Sequence, residues 1–108
     1  MIKYIFEINI KPDCTEEQYI NAWEKGSKII QASSAEAYGT TLYKTEEPGV
    51  LMAIASWQSK QGRKDAMEKL NHANEQIKLT INAHRNFGEI KKIGYIDEIS
   101  TINEFVKE

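Results

Sequence analysis

The chain has a single cysteine, and this scarcity excludes several classes of protein. Cys14 has no second cysteine with which to pair, so a small scaffold held by internal disulfides is excluded. A metal site built from several cysteines is excluded for the same reason. A lone thiol suits a reducing compartment, so we expect a cytoplasmic protein.

The sequence also lacks an excess of charge of either sign and any long apolar run. Its 14 basic and 16 acidic residues give a formal net charge of −2 and are interleaved along the chain. This pattern gives no electrostatic reason to expect a nucleic acid or an anionic membrane as a partner. No apolar run approaches the roughly 20 residues of a membrane-spanning helix. We therefore expect a soluble protein with neither partner.

The length of 108 residues leaves room for one domain, which we expect to span residues 1–108. A chain of this size buries about 65% of the surface that it exposes when unfolded, so a core is possible but thin. A second large cavity would cost such a domain much of its folding stability.

The most informative stretch runs over residues 36–57 and reads EAYGTTLYKTEEPGVLMAIASW. Pro48 and Gly49 suit the second and third positions of a type II turn, where proline presets φ and glycine accepts a positive φ. Residues 38–43 before the turn alternate with the period of a strand. Residues 50–55 after it are continuously apolar, which favours a strand covered on both faces. The stretch predicts a hairpin in the core of the domain.

A strand and a helix precede this hairpin. Residues 2–10 alternate between an apolar face and a mixed face, which predicts a half-buried strand. Thr15 followed by two glutamates predicts the start of a helix over residues 16–33. Gly26 in mid-helix costs about 1 kcal/mol relative to alanine. We expect it to permit a close approach to a strand or to leave space for something else.

A second helical region follows the hairpin. Ser59 can cap a helix from Lys60 that extends as far as Arg85, and the length of this region favours a kink or two helices with a break near residues 71–74. A last strand is expected over residues 89–99. The tail at residues 100–108 would extend that strand or lie on another subunit.

The order of elements is that of an α+β, ferredoxin-like βαββαβ fold with an antiparallel sheet. Two helices on one face of the sheet leave the other face bare. Its positions include Ile, Leu, Tyr and Met, and a monomer rarely leaves a large apolar patch in water. We expect two copies to pack face to face as a homodimer.

Four segments resemble the antibiotic biosynthesis monooxygenase family of dimeric α+β barrel proteins. They cover the first two-thirds of the chain and read IKYIFEINIKP, AWEKGSKIIQAS, GTTLYKTEEPGVLMAIASW and SKQGRKDAM. The resemblance implies two ferredoxin-like subunits that form a shared barrel, each with a cavity between its sheet and its helices. Its characterised members include cofactor-independent oxygenases of aromatic polyketides and quinols, along with haem-degrading enzymes. It therefore implies a small aromatic partner and no cofactor, with haem as the alternative.

Three residues are candidates for catalysis. Trp57 stands where the family has a tryptophan, either as a lid on the core or as a cavity wall for a flat substrate. His72 and His84 are the two histidines and titrate near neutral pH. His72 points to solvent if the second helix is continuous, whereas His84 lies on an apolar stripe. Each is either a proton acceptor at the cavity or a structural histidine.

Five further residues are candidates for contacts with a substrate. Asn9 resembles the first-strand asparagine of haem-degrading members, but Met67 stands where those members have a helix histidine, which weakens the haem interpretation. Met67 fills core space unless it borders the site. Tyr4, Trp23 and Tyr43 either line a pocket or pack in an interface. The sequence indicates no metal-ligand cluster.

Three functions remain open from the sequence. A cofactor-independent monooxygenase requires an open cavity beside Trp57 with one histidine pointing into it. A haem protein requires a histidine within coordinating reach of that cavity. A non-catalytic dimeric binding protein would have a filled interior and both histidines in solvent. A shared fold cannot choose among them, because function resides in the site.

Overall fold

A computed structural model describes residues 1–100 of the chain. The strands are β1 (Ile2–Ile10), β2 (Ala37–Lys44), β3 (Val50–Trp57) and β4 (Gly88–Asp97), and the helices are α1 (Glu16–Ser33), α2 (Lys60–Asn71) and α3 (Glu75–Asn82). A 3₁₀ helix (Ala83–Asn86) joins α3 to β4. The strands form one antiparallel sheet in the order β2-β3-β1-β4. The predicted ferredoxin-like α+β fold is confirmed.

Local chemistry explains where the first elements begin and turn. The Thr15 hydroxyl accepts from the Gln18 backbone N–H at 3.1 Å, and the Gln18 side chain accepts from the Thr15 N–H at 2.9 Å. This reciprocal capping box starts α1 at the predicted residue. Gly49 has φ of 79° in the turn between β2 and β3. The left-handed backbone at this glycine is the conformation that a type II turn requires.

The second helical region is divided, as its length predicts. His72 ends α2, and the Asn74 side chain starts α3 by accepting from the Ile77 backbone N–H at 3.0 Å. The chain then tightens into the 3₁₀ helix, which carries His84. The last strand begins one residue earlier and ends two residues sooner than expected. Apart from Ser100, the tail whose course was predicted lies outside the described residues.

The core lies between the sheet and the helices. Ile8, Leu51 and Ala53 on one face of the sheet surround Tyr19 of α1, and all four are fully or almost fully buried. The helices α2 and α3 and the 3₁₀ helix all contact α1, so they lie on the same side of the sheet. The opposite face has no helix over it among residues 1–100. It carries the apolar residues Ile5, Tyr43, Val50, Met52, Ile54 and Ile96, interspersed with charged residues.

Gly26 allows α1 to approach α3 closely. A Cβ atom built on Gly26 would lie 3.2 Å from the Cα and the carbonyl oxygen of Ile81 and from the carbonyl oxygen of Thr80. The expected close approach is therefore to a helix and not to a strand. Because these neighbours are backbone atoms of a packed helix, they cannot move aside as a flexible side chain would.

We expect Gly26→Ala to destabilise the protein although alanine is the better helix former. The gain of about 1 kcal/mol in helix propensity opposes an overpacking cost of about 2 kcal/mol, so a net loss of about 1 kcal/mol is expected. Urea unfolding measures it. Lys25→Ala, at the adjacent exposed position of α1, is the control and should change stability by less than about 0.5 kcal/mol. A more stable Gly26→Ala protein would show that α1 and α3 are not closely packed.

Candidate functional site

A cavity of about 120 Å³ lies between the helix-covered face of the sheet and the three helices. Aromatic rings form much of its wall, from Tyr4 and Phe6 of β1, Trp23 of α1 and Trp57 of β3. Polar and charged groups interrupt this apolar surface at a few points. The other lining residues are Gly26, Ser27, Ile30, Gln31, Thr40, Ala55, Arg63, Met67, Ile81, Asn82, His84, Arg85 and Ile90.

The alternation of β1 and β3 creates this space. Tyr4 and Phe6 of β1 face the helices, and in the sheet they lie opposite Ala55 and Ala53 of β3. Residues directly opposite each other in an antiparallel pair project from the same face, so each ring has a small side chain beside it. Ala55 lines the cavity and leaves volume there that a larger side chain would have filled, whereas Ala53 lies in the packed core.

A buried tyrosine and a histidine meet at one wall of the cavity. The hydroxyl of Tyr19 and Nδ1 of His84 are 2.8 Å apart. The two rings pack edge to face, with centroids 5.3 Å apart and planes at 79°. Tyr19 is fully buried, whereas His84 is half-buried and lines the cavity. Residues 65 positions apart in the sequence therefore form one hydrogen-bonded pair.

Burial holds both members of this pair in their neutral forms. Desolvation, and then the positive charge of Arg85, lower the pKa of His84 to about 4. Desolvation raises the pKa of Tyr19 well above its usual value, against an opposing effect of Arg85. At neutral pH the pair therefore consists of a phenol and an uncharged imidazole.

The direction of the hydrogen bond follows from the burial of Tyr19. Among the described residues the hydroxyl has no other hydrogen-bond partner, so its proton would be buried and unpaired if it only accepted from His84. Such an unpaired group is costly, which favours donation by Tyr19 to Nδ1. The neutral imidazole then carries its proton on Nε2. His84 can therefore offer an N–H donor on its remaining nitrogen.

Two arginines line the same cavity. The guanidinium carbon of Arg63 lies 3.7 Å from the centre of the Tyr4 ring, and its Nη1 donates to the Tyr95 hydroxyl at 3.3 Å. Arg85 follows His84 in the 3₁₀ helix and is exposed. No aspartate or glutamate lines the cavity among residues 1–100. The electrostatic character of the site is therefore positive.

Five of the eight residues predicted for the site line this cavity. Trp57 is only 3% exposed and also borders the cavity, so it packs in the core and forms part of the cavity wall. The other four are His84, Tyr4, Trp23 and Met67. The space predicted beside Trp57, with one histidine at its wall, is present.

The structure does not bring the other three predicted residues to the cavity. His72 caps the C-terminal end of α2 and is exposed, so it points to solvent although the helix is broken there. Asn9 and Tyr43 belong to the opposite set of alternating positions, so they lie on the uncovered face of the sheet. Asn9 is exposed there and donates to Glu7 at 3.1 Å.

Sequence reasoning assigned no site role to Arg63, Arg85 or Tyr19. Tyr19 lies in the core, and its bond to His84 was not predicted. Arg63 precedes Ala66 by three residues and Met67 by four, which places it beside the apolar stripe of α2. That position was the available signal, because a cation on an inward-facing stripe is rarely without a role.

The cavity does not fit a haem. At about 120 Å³ it lies below the range of about 300–1,000 Å³ that drug-sized ligands occupy, and a haem is larger than most of these. His84 is the only histidine at the cavity among the described residues, and because its Nδ1 accepts from Tyr19, its Nε2 carries the ring proton and offers no lone pair to an iron atom. Within residues 1–100, no three histidine, cysteine, aspartate or glutamate side chains cluster closely enough to hold a metal ion.

No helix of the described part of the chain is long and apolar enough to cross a membrane.

No protein-family model matches the sequence, and no curated protein matches it either. Solved structures do match. SnoaB, a cofactor-independent oxygenase from Streptomyces nogalater, superposes with a TM-score of 0.75 at 12% identity, over 95% of this chain and 97% of that one.

Two further structures extend this comparison. One antibiotic biosynthesis monooxygenase superposes with a TM-score of 0.64 at 14% identity, over 93% of this chain and all of that one. A protein of Nitrosomonas europaea, described as a proposed antibiotic biosynthesis monooxygenase, superposes with a TM-score of 0.67 at 12% identity, over 93% of this chain and all of that one. The chain has the fold of the antibiotic biosynthesis monooxygenases, and the resemblance inferred from the sequence is confirmed at the level of fold. At these identities the likeness shows a shared fold and not a shared reaction.

Proposed function

We propose that this protein is a cofactor-independent monooxygenase that acts on a small aromatic, quinol-type substrate. The observation that carries the proposal is the aromatic-walled cavity with the neutral Tyr19–His84 pair at its wall. Such a site can hold a flat ring, exclude water from one side of it and offer a hydrogen bond to its oxygen. The fold that the chain shares with SnoaB, an oxygenase described as cofactor-independent, supports the same conclusion.

The reaction needs no electron donor besides the substrate. For 1,4-hydroquinone, one oxygen atom of O2 becomes bonded to a ring carbon and the other leaves as water. The quinol and dioxygen thus give hydroxyquinone and water in equal amounts, and the four electrons that reduce dioxygen all come from the quinol. The chain's own task is to bind the ring, to desolvate it on one side and to stabilise negative charge on its oxygen as the phenol releases its proton to water at the open side of the cavity.

His84 is better suited to stabilise that charge than to accept the proton. An imidazole with a pKa of about 4 is a weak base towards a phenol, whose pKa is near 10. With Nδ1 accepting from Tyr19, its Nε2–H can donate to a phenolate oxygen. Tyr19 acts through His84 and is a positioning residue. This role replaces the proton-acceptor role that the sequence alone suggested.

The volume of the cavity restricts the substrate to about one ring. An apolar cavity of about 150 Å³ in another protein holds benzene. The present cavity is of similar size and has polar groups in its wall, so a single ring fits while its substituents extend outward. A polycyclic substrate would require the helices to move.

Oxygen consumption tests the proposal directly. We expect the protein to accelerate oxygen uptake by 1,4-hydroquinone over the autoxidation measured without protein and with heat-denatured protein. Mass spectrometry should find one atom from ¹⁸O2 in hydroxyquinone. Unaccelerated uptake across a panel of monocyclic quinols, or hydrogen peroxide and unsubstituted quinone as the only products, would refute a monooxygenase.

A non-catalytic binding protein is the second candidate, and the open cavity with His84 at its wall argues against the filled interior that it requires.

We also propose a homodimer in the cytoplasm. Its interface would be the uncovered face of the sheet, where Ile96 remains 53% exposed. Two such faces packed together would bury the apolar residues of both.

Sedimentation tests the dimer. We expect a dimer for the unchanged protein and a shift towards monomer for Ile54→Glu, because Ile54 lies in the middle of the uncovered face. Lys64→Glu, an exposed change on α2, is the control and should remain dimeric. A monomeric unchanged protein at concentrations of tens of micromolar would refute the dimer.

A further inference from the structure

Three cations surround a pair of tyrosines next to the cavity. The rings of Tyr4 and Tyr95 lie 5.1 Å apart. Arg63 lies over Tyr4 at 3.7 Å, Lys60 Nζ is 5.0 Å from the Tyr95 ring, and Lys92 Nζ is 5.6 and 5.7 Å from the two rings. We call Lys60, Arg63 and Lys92 around these rings the cationic cluster. Three positive charges thus converge on one small surface.

None of these three cations forms an ion pair with a carboxylate among the described residues. Within residues 1–100 the only ion pair joins Lys44 to Glu16, and neither residue belongs to the cluster. The aromatic faces attract the cations but do not neutralise them. Lys60 also occupies the first turn of α2, where the helix dipole adds partial positive charge. The cluster is therefore a region of concentrated positive potential.

The cluster is continuous with the cavity. Tyr4 and Arg63 belong to both, so a group held by Arg63 would be attached to a ring inside the cavity. Arg63 uses one of its five N–H groups on the Tyr95 hydroxyl, which leaves donors for a ligand. Stacking on Tyr4 holds the guanidinium plane in place. A planar guanidinium suits a carboxylate, which it can bind through two parallel hydrogen bonds.

We propose that the natural ligand of this cavity is an aromatic acid, whose ring occupies the cavity and whose carboxylate binds the cationic cluster through Arg63. This inference rests on the proposed function for the nature of the ring and adds the acidic substituent. It also accounts for the absence of carboxylates from the lining of the cavity within the described chain, since they would repel such a ligand.

Matched ligands test the proposal by equilibrium binding, without turnover. Trp23 and Trp57 line the cavity, so their fluorescence reports occupancy. Under anaerobic conditions, we expect 2,5-dihydroxybenzoate to bind at least ~10-fold more tightly than its methyl ester, which has the same ring and no charge. The advantage should shrink as salt is raised from about 20 to about 500 mM, because salt screens partly exposed charges.

Variants identify the side chain that binds the carboxylate of the ligand. We expect Arg63→Gln to remove most of the preference for the acid over the ester, since the comparison within one variant cancels changes in ring packing. Lys64→Gln removes an equal charge from an exposed neighbouring position of α2 and should keep the preference. Equal binding of acid and ester, or an unchanged preference in Arg63→Gln, would overturn the proposal.

The outcomes separate this inference from the proposed function. Preferential binding of the acid without oxygen uptake by any quinol would keep the anion site and refute the monooxygenase. Accelerated oxygen uptake with acid and ester bound equally, in the unchanged protein and in Arg63→Gln, would keep the monooxygenase and refute the anion site.

Discussion

Lowering the pH from 7 to 4 is expected to cost the folded protein about 3 kcal/mol of stability through His84 alone. The pKa of His84 is about 4 in the fold and near 6.5 in the unfolded chain. Between pH 6.5 and pH 4 the histidine is protonated in the unfolded chain but stays neutral in the folded protein, so lowering the pH favours unfolding. The contribution is fully present above pH 6.5 and is lost as the pH falls to 4. At pH 4 the folded His84 is itself half protonated, so a small further loss follows, and below about pH 3 the contribution should change no further.

Urea unfolding at a series of pH values measures this effect by difference. In His84→Gln the side chain does not titrate, yet its amide oxygen can still accept from Tyr19. The carboxylates titrate alike in both proteins, so the difference between the two curves isolates His84. His72→Gln removes the exposed histidine and is the matched control, which should follow the unchanged protein. If His84→Gln loses as much stability in acid as the unchanged protein, His84 is not held neutral by burial.

Removing the hydrogen-bond donor of His84 is expected to lower kcat for a quinol substrate by about 100-fold, provided that the proposed function holds. Loss of one preorganised donor to a developing oxyanion typically costs about 10²–10³ in rate. His84→Leu removes the donor and keeps an apolar side chain at the wall of the cavity. Steady-state oxygen uptake at saturating quinol measures the change.

Stability must be separated from chemistry in this experiment. His84→Leu leaves the buried Tyr19 hydroxyl without its partner, which costs about 1–3 kcal/mol. The double variant Tyr19→Phe/His84→Leu removes both polar groups and should recover much of that stability without recovering the rate. Tyr19→Phe alone should lower kcat less, since the donor remains but its tautomer is no longer held. Full activity in the folded double variant would contradict the role of His84.

Local patterns were sufficient for the elements of this fold. The apolar period of residues 2–10, the cap at Thr15 and the turn at Pro48–Gly49 each act within a few residues, and each prediction is confirmed. The break before Asn74 was predictable because one continuous helix would be too long for the domain. The alternation in β1 also shows that Asn9 projects from the face of the sheet opposite to that of Tyr4 and Phe6. The sequence alone could therefore have excluded Asn9 from the cavity.

The composition of the cavity wall was predictable in part. Trp23, Trp57 and Met67 are large side chains on apolar faces, and such faces converge where helices cover a sheet. Arg63 was missed because its partner Tyr4 lies in β1, far away in the sequence. The spacing of residues within α2 carries no information about a contact with that strand.

The sequence by itself determined the strands, the helices, their order and which face of each is apolar, because these follow from propensity and periodicity over short distances. Only the tertiary structure decided that Tyr19 meets His84, that Arg63 stacks on Tyr4 and that a cavity remains among them. The contact between Tyr19 and His84 depends on the tight 3₁₀ turn that carries His84 and on the close approach of α1 to α3 that Gly26 permits. Burial then sets the charge of His84, and burial is a property of the packed structure and not of any local pattern.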